Sequence, residues 1–128
     1  SYGRAAREVV LTMQLEFYRL GIPFTTRFTH SSAVRMATQS VWVEARSGGL
    51  VGVGEGCPRE YVTGESLTSA QAFFNDHREA LCQDVGSVDA LAAWVDDHAT
   101  LIDGNPAAWC AVELALLELF ARREDVPV

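Results

Sequence analysis

Alternating hydrophobic and polar residues mark the first half of the chain. From Glu8 to Tyr18, apolar side chains occupy every second position: Val9, Leu11, Met13, Leu15 and Phe17. This period of two predicts a half-buried strand that ends or bends at Leu20-Gly21-Ile22-Pro23. Ser40 to Arg46 alternates in the same way. The turn Ser47-Gly48-Gly49 joins it to a third strand, Leu50 to Glu55, which predicts a β-hairpin.

The third strand carries glycines at alternate positions, on one of its two faces: Gly52, Gly54 and Gly56. Glycine weakens a strand, so this pattern predicts that another backbone or a ligand approaches the strand closely. The spacing does not fit a dinucleotide-binding fingerprint, because no helix follows it directly.

Helical periodicity replaces alternation in the second half. Thr68 and Gln71 have the spacing of a capping box that opens a first helix. Its apolar stripe is Ala70, Phe73, Phe74, His77 and Leu81. Ser87 is the expected cap of a second helix, which ends at Asp103-Gly104. Its stripe is Val88, Leu91, Ala92, Val95 and Ile102.

A third helix should run from Asn105 to Arg123. Asn105 suits its N-cap, and Pro106 suits its first turn. Between its ends the only charges are Glu113 and Glu118, roughly 140° apart around the axis, so the helix has no polar face. It must be covered on nearly all sides.

Strands followed by helices predict an α+β fold, with a three-stranded antiparallel sheet and about three packed helices.

Composition and net charge argue against several classes of binding partner. The 128 residues fit one domain, and the net charge of −7 argues against nucleic acid and anionic membrane as partners. Cys57, Cys82 and Cys110 match no disulfide or zinc pattern, so we expect reduced thiols and a cytoplasmic protein. The chain shows no signal peptide and no apolar run of about 18 residues.

All ten basic residues are arginines, and lysine is absent. Arginine does not release its proton at working pH, so lysine-dependent Schiff-base chemistry and lysine general bases are excluded. A Walker-type phosphate loop is excluded for the same reason.

Two irregular segments, Phe24 to Thr38 and Cys57 to Glu65, contain the candidate binding residues. In the first, His30 either faces a substrate or is a solvated loop residue. In the second, Arg59 and Tyr61 could hold a carboxylate and an aromatic group of a substrate. The alternative is that Arg59 pairs with Glu60 or Glu65 and only fixes the loop.

The other chemically suggestive residues favour structural roles. His77 lies on the apolar side of a helix, and Trp94 and Trp109 are expected in the core. His98 adjoins two aspartates, but three adjacent helical residues do not face one point, so no metal site is predicted. Glu55 has no partner in the sequence pattern that would adjust its pKa for acid catalysis, and Cys57 has no neighbouring histidine to activate its thiol. We therefore predict no catalytic residue in this chain.

The sequence resembles the N-terminal capping domain of the enolase superfamily, in the mandelate racemase and muconate lactonizing enzyme branch. The resemblance extends over roughly a hundred residues. It is carried by Ile22-Pro-Phe24, Phe28, His30, Ser40-Val-Trp-Val43, Gly52-Val-Gly-Glu-Gly-Cys-Pro-Arg59, Tyr61-Val-Thr-Gly-Glu65, Asn105-Pro-Ala-Ala-Trp109 and Glu113-Leu-Ala-Leu116.

This resemblance implies a capping or lid domain over residues 1–125, and a linker at 126–128 that leads to a barrel domain absent from the chain. In the family the barrel holds magnesium and the base that removes the proton beside a substrate carboxylate. This chain would then bind no cofactor and be inert alone, whereas its parent would be a racemase, epimerase or cycloisomerase. The family's lid loops correspond to Thr25–Arg35 and Gly56–Glu65, which implies substrate contacts by Phe28, His30, Arg35, Arg59 and Tyr61.

The resemblance also implies that a barrel covers the third helix. On that basis, some of Trp109, Leu116 and Phe120 should be exposed or covered by a neighbouring chain. The alternative is a stand-alone binding or oligomerisation module that keeps the cap fold and forms a homo-oligomer or binds a separate barrel chain. A complete small enzyme is the least favoured interpretation, because no nucleophile–base or metal constellation appears.

Overall fold

A computed structural model describes residues 12–22 and 38–124 of the chain. Within these ranges the chain forms three strands followed by four helices, which confirms the predicted α+β class. The strands are β1 (Gln14–Ile22), β2 (Thr38–Ser47) and β3 (Leu50–Gly56). The helices are α1 (Leu67–Asp84), α2 (Val88–Asp97), α3 (Ala99–Asp103) and α4 (Pro106–Arg123).

The strands form an antiparallel sheet in the order β1-β2-β3. Phe17 lies opposite Val43, and Val43 lies opposite Gly54, so the apolar positions of the alternating pattern share one face. Gly48 and Gly49 have φ of 57° and 83°, as a two-residue hairpin turn requires. The predicted hairpin is therefore confirmed.

The first strand differs from its predicted bounds. It begins at Gln14 and continues through Ile22, because its last residues still pair with the start of β2. Thr12 and Met13 precede the strand, and residues 8–11 of the predicted strand lie outside the described residues.

The glycines of β3 lie directly against the backbone of α4. A Cβ atom at Gly54 would overlap the carbonyl oxygen of Ala111. The same overlap would occur between Gly52 and Ala115 and between Gly56 and Ala107. The predicted close backbone approach is confirmed, and the approaching element is the third predicted helix.

The opposite side of α4 is also covered. Trp109, Leu116 and Phe120 are all buried, and the Trp109 ring stacks on Trp94 of α2 at 5.0 Å between centroids. The expectation that some of these three side chains are exposed is wrong, because α1 and α3 pack against α4 and Trp94 of α2 stacks on Trp109.

Exposed apolar surface does exist on α4, but on the flank that neither layer covers. Leu114 is 47% exposed and Leu117 is 38% exposed. They lie three residues apart, so they share one face of the helix.

The start of α1 differs from the prediction. Ser66, not Thr68, is the N-cap, and Ser69 takes the reciprocal role predicted for Gln71. The Ser66 hydroxyl accepts from the Ser69 amide at 3.0 Å, and the Ser69 hydroxyl accepts from the Ser66 amide at 3.0 Å. Serine supplies both halves of this capping box, so the helix begins earlier than the Thr-Gln spacing indicated.

The second predicted helix is divided at His98. Ser87 caps α2 as predicted, accepting from the Ala90 amide at 3.1 Å. At His98 the backbone leaves the helical region, with φ −125° and ψ 30°, and its ring stacks on Trp94 at 3.8 Å. Val88 and Ala92 of the predicted stripe are exposed, because α2 directs Leu91 and Trp94 into the core instead.

The predicted packing role of His77 is confirmed. Its ring lies 5.1 Å from Phe73 and 6.1 Å from Trp94, centroid to centroid.

The close approach of β3 to α4 generates a stability prediction. Gly54→Ala should destabilise the fold by about 1–3 kcal/mol, because the new methyl group can be accommodated only if strand and helix separate. Gly86→Ala is the matched control, since a Cβ atom there meets nothing within 4 Å. Urea unfolding followed by tryptophan fluorescence measures both, and equal stability of the two variants would contradict the packing described.

Candidate functional site at the second loop

The candidate site lies at one end of the sheet. There β1 ends, β2 begins, β3 ends and α4 begins, since the sheet is antiparallel and β3 runs antiparallel to α4. The segment Cys57–Glu65, which we call the second loop, leaves β3 at this end and leads into α1.

The second loop is a tight turn organised around the carbonyl oxygen of Arg59. That oxygen accepts from the amides of Val62 (3.1 Å), Thr63 (2.8 Å) and Gly64 (3.2 Å). The Thr63 hydroxyl also donates to it at 3.1 Å. Gly64 has φ of 76°, a conformation that favours glycine, so the chain can turn back towards α1.

The turn presents its side chains to solvent. Tyr61 is 103% exposed and Val62 is 76% exposed, while Arg59 is also exposed. Two of the five predicted substrate-binding residues, Arg59 and Tyr61, thus lie on the outer surface of one short turn. Phe28, His30 and Arg35 lie outside the described residues, so their proximity to this turn stays a prediction.

Glu65 holds the base of the loop. Its side chain is only 1% exposed, and its carboxylate accepts from the Ala107 amide at 2.9 and 3.1 Å and from the Ala108 amide at 3.0 Å. These amides belong to the first turn of α4, where the helix dipole stabilises a negative charge. The alternative that Arg59 pairs with Glu65 is wrong, because both carboxylate oxygens of Glu65 bind amides of α4 instead. In the described ranges, Arg59 also forms no ion pair with Glu60.

Glu65 also replaces the cap predicted for α4. Asn105 occupies the N-cap position, but its side chain donates to the Leu101 carbonyl at 3.0 Å instead of accepting from the first turn. Sequence reasoning missed Glu65 because the capping partner lies 42 residues away along the chain. Local spacing rules detect caps only within a few residues.

The loop carries neither a nucleophile–base pair nor a metal site. Across residues 12–22 and 38–124, no group of three or more histidine, cysteine or acidic residues could hold a metal ion. The three cysteines are free. Glu55, considered for acid catalysis, is exposed at the end of β3. What the arrangement offers is a rigid turn bearing a guanidinium group and an aromatic ring.

Comparison with known proteins gives the family context. No protein-family model matches the chain. It is 29% identical, over 92% of its length, to an L-Lys-D/L-Arg epimerase of Desulforapulum autotrophicum. The chain spans about a third of that relative, 32% of its length.

Solved structures agree in fold. The L-Ala-D/L-Glu epimerase of Bacillus subtilis matches 88% of the chain with a TM-score of 0.67 and 28% identity, over 31% of the epimerase. A mandelate racemase/muconate lactonizing protein of Herpetosiphon aurantiacus matches 88% of the chain with a TM-score of 0.68 and 22% identity, over 30% of that protein. The α+β fold of this chain therefore matches that of the N-terminal capping domain of enolase-superfamily enzymes.

Among residues 12–22 and 38–124, no helix is both long enough and apolar enough to cross a membrane.

The exposed thiol of Cys110 on α4 is poorly suited to nucleophilic chemistry. Cys110 is exposed on α4, and its pKa is raised, first by partial desolvation and then by the nearby Glu113 and Cys57. Burial likewise raises the pKa of Cys82. A raised pKa lowers the thiolate fraction at a given pH, and the thiolate is the reactive form.

We therefore predict that alkylation of Cys110 by iodoacetamide in the native chain has a pH midpoint above that of the same thiol in the unfolded chain. Mass spectrometry of peptides labelled between pH 6 and pH 10 measures the midpoint, with guanidinium-unfolded protein as the control. A native midpoint at or below the unfolded one would contradict the environment described for Cys110.

Proposed function

We propose that this chain is the capping domain of a magnesium-dependent enolase-superfamily enzyme that epimerises or racemises a carboxylate substrate, with dipeptides the favoured class. The supporting observation is similarity to an epimerase along nearly the whole chain, which matches only a third of that protein. Under this proposal, the metal, the base and the catalytic steps would belong to a barrel domain.

The capping domain would contribute substrate recognition. The Arg59 guanidinium suits a carboxylate group, and the Tyr61 ring suits an apolar or cationic side chain of the substrate. Both groups stand on a turn whose shape is fixed by hydrogen bonds within the chain. Closing such a loop over a barrel excludes water and sets specificity without supplying the acid or base.

A barrel partner also accounts for the exposed apolar surface. Tyr61 and Val62 at the loop tip, and Leu114 and Leu117 on α4, are large apolar groups facing solvent in this chain. Burial of such groups against another domain is favourable by roughly 25 cal/mol per Å² of apolar area. Oligomer formation, and a cytoplasmic location for a protein with free thiols, belong to the same proposal.

The proposal is tested by comparing the 128-residue chain with the full-length protein. Each is incubated with L,L-dipeptides and Mg²⁺ in D₂O, and α-proton exchange and epimer formation are followed by NMR. The full-length protein should exchange the α-proton, and EDTA should abolish the exchange. The isolated chain should show none. Turnover by the isolated chain would sink the proposal, as would the lack of any barrel sequence after Val128.

A substitution at the loop tip tests the recognition role. In the full-length protein, Tyr61→Ala should raise KM for the best dipeptide about tenfold, equivalent to about 1.4 kcal/mol of lost binding, with a smaller change in kcat. Tyr18→Ala is the matched control, because Tyr18 is an exposed tyrosine on β1, on the face of the sheet opposite α4. Equal KM values for both variants would contradict a substrate contact by Tyr61.

A further inference from the structure

Both ends of the second loop are fixed to one peptide unit of α4. Directly before the loop, Gly56 at the end of β3 packs against the carbonyl oxygen of Ala107, at a separation that leaves no room for a Cβ atom. At its end, Glu65 accepts from the amide of the same residue and from that of Ala108. The first turn of α4 is therefore the base on which the loop is built.

The contact made by Glu65 is strong and geometrically demanding. A carboxylate removed from water loses stability unless hydrogen bonds replace its hydration, and here both oxygens are bound by amides. Glutamine has the same shape, but it offers only one acceptor oxygen, and its NH₂ group would face N–H donors. The site consequently selects for a carboxylate.

The anchors act on a loop that is itself stiff. The Thr63 hydroxyl donates to the Arg59 carbonyl and accepts from the Glu65 amide at 3.3 Å, which links the turn to the anchor residue. Immediately afterwards, the Ser66–Ser69 capping box fixes the start of α1. Moving Glu65 therefore moves the turn that carries Arg59 and Tyr61.

We propose that Glu65 is a positioning residue that sets the location of Arg59 and Tyr61 relative to α4, and thereby the affinity for substrate. The effect on substrate affinity rests on the proposed function, because it requires that these two side chains contact a substrate. The effect of Glu65 on the location of Arg59 and Tyr61 concerns the chain alone and is tested separately.

The first test is limited digestion of the 128-residue chain with trypsin. The carbonyl of the bond that trypsin cleaves after Arg59 is held by four donors, so the wild-type bond should be resistant. Glu65→Gln should speed cleavage after Arg59 at least about tenfold, the change expected for about 1.4 kcal/mol of lost protection against local opening. Glu55→Gln is the matched control, since Glu55 is an exposed glutamate at the end of β3 that does not flank the cleaved bond.

A second variant separates local release from general destabilisation. Val43→Ala removes two methyl groups at the buried centre of the sheet, away from the loop. It should lower the unfolding midpoint without selectively exposing the bond after Arg59. Wild-type resistance in Glu65→Gln, or equally fast cleavage in Val43→Ala at matched stability, would overturn the anchoring role.

The second test uses the full-length protein. Glu65→Gln should raise KM for a dipeptide while leaving kcat within about twofold, and Glu55→Gln should change neither. A merely structural role would lower the amount of folded enzyme, hence the apparent kcat, without changing KM. An unchanged KM would overturn the positioning role. If the wild-type protein turns over no dipeptide, the proposed function fails, and the trypsin experiment alone decides whether Glu65 fixes the loop.

Discussion

The backbone contact between β3 and α4 is the constraint on which the rest of the structure depends. Glycine on the strand and alanine on the helix allow the two backbones to approach more closely than ordinary side chains permit. At this separation α4 lies deep enough for α1 and α2 to cover its other side, with Trp94 stacked on Trp109. A helix without a polar face is thereby buried by one domain, apart from the flank that carries Leu114 and Leu117.

The same contact protects the sheet. Glu118 of α4 accepts a hydrogen bond from the Val53 amide at 2.7 Å, which occupies a donor on the side of β3 that does not pair with β2. An occupied donor and a carboxylate at the edge discourage pairing with another strand. Glu118 also pairs with Arg122 at 3.2 Å, so one of the two charges that interrupt the apolar helix has a structural purpose.

The fold was largely predictable from sequence because its determinants are local. Period-two alternation identified the buried faces of β1 and β2, and the glycine spacing of β3 correctly implied a close backbone neighbour. Errors arose where distant residues decide the outcome. The residues near Trp109 in sequence do not indicate that Trp94 of α2 stacks on its ring. Likewise, the residues near Ala107 do not indicate that its amide binds Glu65.

The candidate site was predictable only in part, for the same reason. Exposure of Arg59 and Tyr61 follows from a polar, glycine-containing segment between a strand and a helix. Glu65 fixes the position of these two residues, but in the sequence it is only one more loop carboxylate. Its sequence neighbours do not show whether it pairs with Arg59 or caps a helix, because the amides that it binds belong to α4. A buried carboxylate is a tertiary feature, since the donors that replace its hydration come from another element.

These constraints imply a division of labour under the proposed function. The shape of the second loop is determined inside the capping domain, by Gly56, Glu65 and the hydrogen bonds at Arg59. A barrel would meet a preformed turn and would not need to order it, which avoids an entropic cost of roughly 1–2 kcal/mol per backbone residue. Changes at Arg59, Tyr61 and Val62 would then alter recognition while the anchors, and the chemistry supplied by the barrel, stay unchanged.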